Sequence, residues 1–301
     1  MTHPTPVNES SWAGATWPLG THLGPDGVTV AVYAPAATRL QLEVYPEALG
    51  ATASSTFLPA RGEDGVWRAQ IAGLEAGAGL VILCNPWNPV GRVLTEAEMR
   101  AVQELVSRYD ALVFSDEIHS PLVLSGRGFV SYARMGAEFA SHTITATAAT
   151  KGWNIAGLPN AQVIIPDEGL RERWDCICQE KLPHSMSTIG ALGSIEAYTN
   201  GDEWQREIFE VIEGNIRTVS EALASTKIDF RPPQATYLTW WGFEAYPQFG
   251  DSTASVLLER AHIAVNAGIT LGADYSKWAR MNLACSPQVT QELVSRVLGV
   301  L

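Results

Sequence analysis

Four short runs of this 301-residue chain carry side chains able to move protons or grip anions. They are Asn85-Pro-Trp-Asn88-Pro-Val-Gly91, Ser115-Asp116-Glu-Ile-His119, Thr150-Lys151-Gly-Trp-Asn154-Ile-Ala-Gly157-Leu and Arg280-Met-Asn282-Leu-Ala-Cys-Ser. Taken singly, each has an ordinary structural explanation. Asp116 would cap a helix, Lys151 would lie on the surface, His119 would be a satisfied polar side chain and Arg280 one half of a surface ion pair. Asn85 and Asn88 would start turns, as Asn-Pro commonly does. Their order and placement argue for more. The first three follow segments that read as strands, and open parallel sheets bind ligands at the carboxyl ends of their strands. Charges there are costly to desolvate unless paired. A carboxylate, an amine and a guanidinium brought together can hold a proton on a facing base, transfer a proton and clamp a carboxylate.

The surrounding pattern supplies such strands. Gly79-Leu-Val-Ile-Leu-Cys84 is a continuous apolar run, as expected for a strand covered on both faces. Thr95-Glu-Ala-Glu98 is a capping box, and Met99, Val102, Val106 and Tyr109 follow at helical spacing. Ala111-Leu-Val-Phe-Ser115 reads as the next strand, which makes a βαβ unit and a parallel sheet. Further strands are expected over 142–148 and 161–166. A long amphipathic helix is marked by Ile208, Val211, Ile212, Ile216, Val219 and Leu223, and two more strands by 236–241 and 280–283. Residues 12–75 differ. Val28, Val30 and Val32 alternate with Thr29, Ala31 and Tyr33; Leu40, Leu42 and Val44 repeat the pattern, and a third strand follows the Gly62-Glu-Asp-Gly65 turn. The expected division is a small β-sandwich over 1–77, an α/β large domain over 78–205 and a small α+β domain over 206–301.

The four runs together resemble fold-type I pyridoxal-phosphate (PLP) enzymes of the aminotransferase class I/II family, from about residue 79 to the end. The Asp-Glu-Ile-His wording points to the branch of cystathionine β-lyase-like carbon–sulfur lyases. The resemblance implies a partial PLP-transferase large domain with pyridoxal 5'-phosphate as cofactor. It implies Lys151 as the lysine that carries the cofactor and acts as base, and Asp116 as the partner of the ring nitrogen. Asn88, with His119 as helper, would bind the phenolic oxygen, and Thr150 would offer a hydroxyl to the phosphate. Arg280 would take the substrate's α-carboxylate, supported by Asn282, and Tyr237 would be a structural landmark. β-Elimination from a cystathionine-like amino acid and transamination share every step up to loss of the α-proton, so both remain open. A homodimer is the family's assembly. Two features depart from the pattern. Ala148 and Pro159 stand where many relatives carry a hydroxyl and a cation for the phosphate. Nothing in residues 1–78 resembles a glycine-rich phosphate loop opening a helix, so a partial cofactor pocket is expected.

Pro18-Leu-Gly20, Gly27-Val-Thr-Val-Ala-Val-Tyr-Ala-Pro35-Ala-Ala-Thr-Arg39-Leu, Gly65-Val-Trp67 and Gly73-Leu74 resemble the N-terminal module of glycogen debranching enzymes. That resemblance implies an immunoglobulin-like, carbohydrate-binding-type early-set domain. An α-glucan is the partner it suggests, with Trp12, Trp17 and Trp67 as stacking platforms. A β-domain that binds nothing is the alternative.

Composition narrows the rest. A net charge of −12 argues against nucleic acid, whose phosphates call for clustered Lys and Arg. No apolar run reaches membrane-span length. The polar start, MTHPTPVNESSW, lacks the apolar core of a signal peptide, and the 4 cysteines lack zinc-site spacing. A reduced cytoplasmic protein is the expectation.

Overall fold

The computed structural model describes residues 5–7, 9–17, 20–24, 27–33, 42–44, 55–72, 79–181, 187–250 and 252–301. Leu40 and the Pro35-Ala-Ala turn lie outside these. The chain divides into two compact units, one of Met1–Val81, Glu104–Leu112 and Glu172–Lys181, the other of Ile82–Gln103, Val113–Arg171 and Leu182–Leu301.

In the first unit, β1 (Thr5–Pro6), β2 (Gly20–Gly24), β3 (Gly27–Tyr33), β6 (Ala60–Arg61) and β7 (Val66–Ala72) make an antiparallel sheet of order β1-β7-β3-β2, with β6 also on β7. The strands β4 (Leu42–Val44) and β5 (Ser55–Phe57) form a separate ribbon. Leu42 and Phe57 of the ribbon pack on Trp12, Ala69 and Ile71, so ribbon and sheet share one core. The Gly62–Gly65 turn needs glycine at its end, where φ is 75°. The aromatic platform envisaged for sugar rings is not on the surface. Trp12 is 2% exposed and Trp67 8%, and Trp17 packs half-buried against the same core. Indoles in so small a unit supply apolar area that its short strands cannot.

From residue 79 on, β8 (Leu80–Cys84) is followed by α1 (Glu96–Arg108), β9 (Leu112–Asp116), α2 (Ala137–Ala140), β10 (Thr143–Thr147), α3 (Ala149–Gly152) and β11 (Gln162–Ile164). The sheet order is β11-β10-β9-β8, with β9 and β10 parallel and β11 antiparallel to β10. The run 79–84 was expected to be covered on both faces. One face is instead open, with Ile82 72% exposed while Leu83 turns inward at 9%, and among the described residues the strand ends its sheet. A purely apolar run does not tell one covered face from two.

The capping box forms as the sequence suggests. Thr95 N donates to Glu98 Oε2 at 2.9 Å and Glu98 N to Thr95 Oγ1 at 3.3 Å. Loss of the cap in Thr95→Ala is expected to cost about 1 kcal/mol, read as a lower urea midpoint with unchanged slope.

The chain continues through α4 (Glu168–Lys181), α5 (Thr188–Asn200) and α6 (Asp202–Leu223) to an antiparallel sheet of order β12-β13-β15-β14. These strands are β12 (Asp229–Phe230), β13 (Leu238–Gly242), β14 (Asn266–Ala267) and β15 (Trp278–Asn282), with α7 (Thr253–Ala261) and α8 (Pro287–Leu298) completing the chain. The apolar stripe of α6 buries Ile212, Ile216, Val219 and Leu223 against Trp241, Phe243, Met281 and Val297. Asn215 interrupts that stripe for a reason. Its Nδ2 donates to Leu283 O at 2.9 Å and Cys285 O at 2.8 Å, tying α6 to the segment that leaves β15. The sheet carrying Arg280 is thereby fixed from behind.

Candidate active site

Three strand ends are stitched together. Asn85, just past β8, donates its N–H to Asp116 O at 3.0 Å, and Glu117 N donates to Ala146 O at 2.8 Å. The parallel register sets Asp116, the last residue of β9, beside Ala146 of β10. Three residues after Ala146 the chain enters α3, which carries Thr150 and Lys151. Asp116 Oδ1 accepts from Ile118 N at 3.2 Å, which orients the carboxylate at the start of the loop.

The loop after β8 is held at several points. Asn85, fully buried, accepts at Oδ1 from Leu94 N at 2.9 Å. Gly91 has φ of 70°, and a Cβ there would collide with Pro233, so only glycine fits. Gly91 O accepts from Gln234 N at 2.7 Å. Asn85 is therefore the loop's anchor, and Asn88 is what the loop presents. Asn88 Oδ1 accepts from Arg280 Nη1 at 3.2 Å. The Cys84 thiol, pushed up by burial, is also influenced by the Asn88 backbone and the Asp116 charge, so these groups are neighbours.

Arg280 lies inside β15, opposite Trp240 of β13 and Asn266 of β14. Its Nη2 donates to Asn266 Oδ1 at 3.0 Å, while its buried Nε has no partner. Asn282, expected to support Arg280, accepts instead from Ala284 N at 2.8 Å and shapes its own turn.

His119 joins these pieces. It is 2% exposed, and its Nδ1 has no partner. Its pKa is lowered to about 4, by burial first, then by the positive charge of Lys151, against the opposing pull of Asp116 and with a further push from Arg280. Because the folded value lies below the ordinary value of 6.5, the unfolded chain binds a proton that the folded chain refuses between those limits. Stability is therefore expected to fall by about 3 kcal/mol as pH drops from 6.5 to 4. In His119→Gln this component is absent, so the change in urea midpoint between pH 7 and pH 4.5 should shrink relative to wild type.

Two cavities meet at Lys151. One, of about 560 Å³, is lined by Ile118, Ala148, Thr150, Lys151, Pro159 and Asn160 among others. The other, of about 330 Å³, is lined by Lys151, Asn154, Trp204, Ile208, Tyr237 and Cys285 among others. The pKa of Tyr237 is raised by burial and pulled back by Arg280, which places the phenol near that guanidinium.

Sequence reasoning passed over two residues here. Asn160 lines the cavity beside Thr150, at the end where Ala148 and Pro159 offer neither hydroxyl nor charge. Glu117 is 3% exposed and accepts from Ser115 Oγ (2.8 Å), Ser131 Oγ (3.0 Å) and Tyr132 N (3.1 Å). Burial pushes its pKa up, and these donors pull it back. Period-2 alternation was the signal: side chains on either side of Asp116 point to the opposite face. Asp116 therefore turns away from the Glu117 network. Among the described residues, no three His, Cys, Asp or Glu side chains are placed to hold a metal ion.

The pattern of the Aminotransferase class I and II family matches residues 65–297. A cystathionine beta-lyase of Corynebacterium glutamicum is 31% identical over 225 residues, 75% of this chain and 60% of that protein. Cystathionine beta-lyase PatB of Bacillus subtilis (strain 168) is 30% identical over 247 residues, 79% of this chain and 64% of the relative. Among solved structures, a putative PLP-dependent beta-cystathionase from Corynebacterium diphtheriae superposes with a TM-score of 0.69 at 33% identity, covering 75% of this chain and 59% of that one. Cystalysin from Treponema denticola, whose crystal contains pyridoxal 5'-phosphate, gives 0.69 at 28% identity, covering 74% and 57%. The chain spans roughly three fifths of the length of these proteins.

Proposed function

The chain belongs to the aminotransferase class I and II family, and on that premise we propose that it is a PLP-dependent carbon–sulfur β-lyase. A cystathionine-like thioether amino acid plus water would give a thiol, pyruvate and ammonia. The observation that supports this reading is the parallel register that sets Asp116 beside Ala146, from which the chain runs directly into α3 and Lys151.

The residues fit the cofactor. His119 Nδ1 and Arg280 Nε are buried polar atoms without partners, and a buried polar atom left unpaired calls for an explanation that a bound polar group would supply. When bound, pyridoxal phosphate supplies an electron sink for the pair left by the departing α-proton. Asp116 would keep the cofactor's ring nitrogen protonated by opposite-charge attraction. Asn88 Oδ1 is taken by Arg280, which leaves the amide nitrogen to donate to the phenolic oxygen, with His119 beside it. Thr150, with Asn160, would offer hydrogen bonds to the phosphate. Lys151 would hold the cofactor and, once released, its Nζ would take the α-proton. The α-carboxylate would sit on the Arg280 guanidinium, which offers it a planar, two-pronged contact. The same premise makes a homodimer the expected assembly.

The test is incubation with L-cystathionine and added cofactor. A visible absorption band on the protein, with pyruvate and thiol formed in equal amounts, is expected. A colourless protein contradicts the reading. Keto-acid exchange without thiol release replaces it with an aminotransferase.

A further inference from the structure

We infer that Asn266 is a positioning residue for Arg280, holding the guanidinium in place for a carboxylate without neutralising its charge. This rests on the reading of Arg280 as the α-carboxylate site. Asn266 belongs to the two-residue strand β14 and stands directly opposite Arg280 in the antiparallel register. Directly paired residues project from the same face of a sheet, so the amide reaches the guanidinium across the strand gap. The result is a 3.0 Å bond from Arg280 Nη2 to Asn266 Oδ1. On the other terminal nitrogen, Asn88 Oδ1 accepts from Nη1 at 3.2 Å.

A planar group held at both tips is fixed in rotation. Each terminal nitrogen carries two N–H groups and gives one to an amide, so one on each remains. Two donors are what a two-pronged carboxylate contact requires.

The chemistry of the holders matters as much as their position. Both are neutral amides. An Asp or Glu in either place would form an ion pair with Arg280 and compete with an incoming carboxylate. None of the ion pairs among the described residues involves Arg280. The arrangement orients the guanidinium and leaves its positive charge for a ligand. A purely structural asparagine, present only to end a short strand, has no reason to prefer an amide to a carboxylate. Asn266 is exposed, so replacing it removes no core contact.

The experiment compares wild type, Asn266→Ala and Asn266→Asp as full chains with added PLP. It measures the dissociation constant of an unreactive carboxylate, 3-(methylthio)propionate, by titration calorimetry, and kcat and KM for L-cystathionine. Asn266→Ala should weaken the probe roughly tenfold and raise KM similarly, with kcat and the visible band little changed. Asn266→Asp should weaken the probe by roughly a further tenfold, because the new carboxylate neutralises the guanidinium the probe must bind. Equal binding by wild type and Asn266→Asp, or equal losses in the two variants, overturns the inference. So does a wild-type protein that binds no carboxylate. Failure of the lyase reading shows separately, as no visible band and no thiol release from wild type.

Discussion

Replacing Lys151 with alanine is expected to abolish cofactor attachment and lower thiol release by roughly four orders of magnitude. The same side chain is asked to hold the cofactor and to carry the α-proton, so no part of the proposed reaction survives its loss intact. Lys151 lies on the short helix α3 at the carboxyl end of the sheet and lines both cavities of the site. It is only half-buried, so truncation should leave the far-ultraviolet dichroism and the urea midpoint close to wild type. Lys151→Arg supplies the control. It keeps a positive charge but offers no amine that can be neutral near pH 7. If charge were the requirement, Arg would restore the visible band; if the amine is, Arg and Ala should fail alike. A second readout needs no cofactor. Lys151 contributes to holding the His119 pKa near 4, so in Lys151→Ala that imidazole should titrate at higher pH, visible by NMR of its ring protons. In Lys151→Arg the retained charge should keep it low. Wild-type turnover in Lys151→Ala would place the reactive amine elsewhere.

The parts of the candidate site whose placement depends on single strands could be located from the residues alone. Asp116 and Lys151 each follow an apolar or β-branched run, and the parallel pairing of Ala146 with Asp116 brings those two strand ends together. The capping box at Thr95 and the stripe along α6 were readable for the same reason, since each is a rule about neighbours a few residues apart. Contacts between distant segments were not. Arg280 and Asn88 are 192 residues apart, and no local period couples them. Arg280 and Asn266 are separated by 14 residues across an edge-strand register that β14, at two residues, is too short to announce. The open face of β8 and the antiparallel placement of β11 were hidden because apolar runs report burial tendency, not neighbours. The buried Trp12 and Trp67 make the same point in the first unit, where residue type alone left both a stacking platform and a core available.

Arg280→Lys is expected to lower kcat/KM for L-cystathionine by roughly two to three orders of magnitude, with most of the loss in KM. Charge is conserved in this substitution, so long-range attraction for an anion persists. What disappears is geometry. The lysine ammonium is a single point with rotatable donors, whereas the guanidinium offers a rigid fork already pinned at both tips. One ammonium cannot satisfy Asn88 Oδ1, Asn266 Oδ1 and a bound carboxylate in that geometry. Asn88 would then lose the partner that holds its amide in the orientation proposed for the cofactor's oxygen, so the visible band should shift as well as the KM rise. Arg280→Ala goes further. It removes one of the two positive charges that depress the His119 pKa, which should therefore move up from about 4, whereas Arg280→Lys should leave it nearer its starting value. The pair of variants thus separates the two contributions of Arg280. A KM that rises equally in both, with the His119 shift confined to Ala, assigns substrate binding to the fork and the electrostatics to the charge. A KM unchanged in Arg280→Lys shows that charge alone holds the substrate, and the paired amides on the guanidinium would then need another explanation.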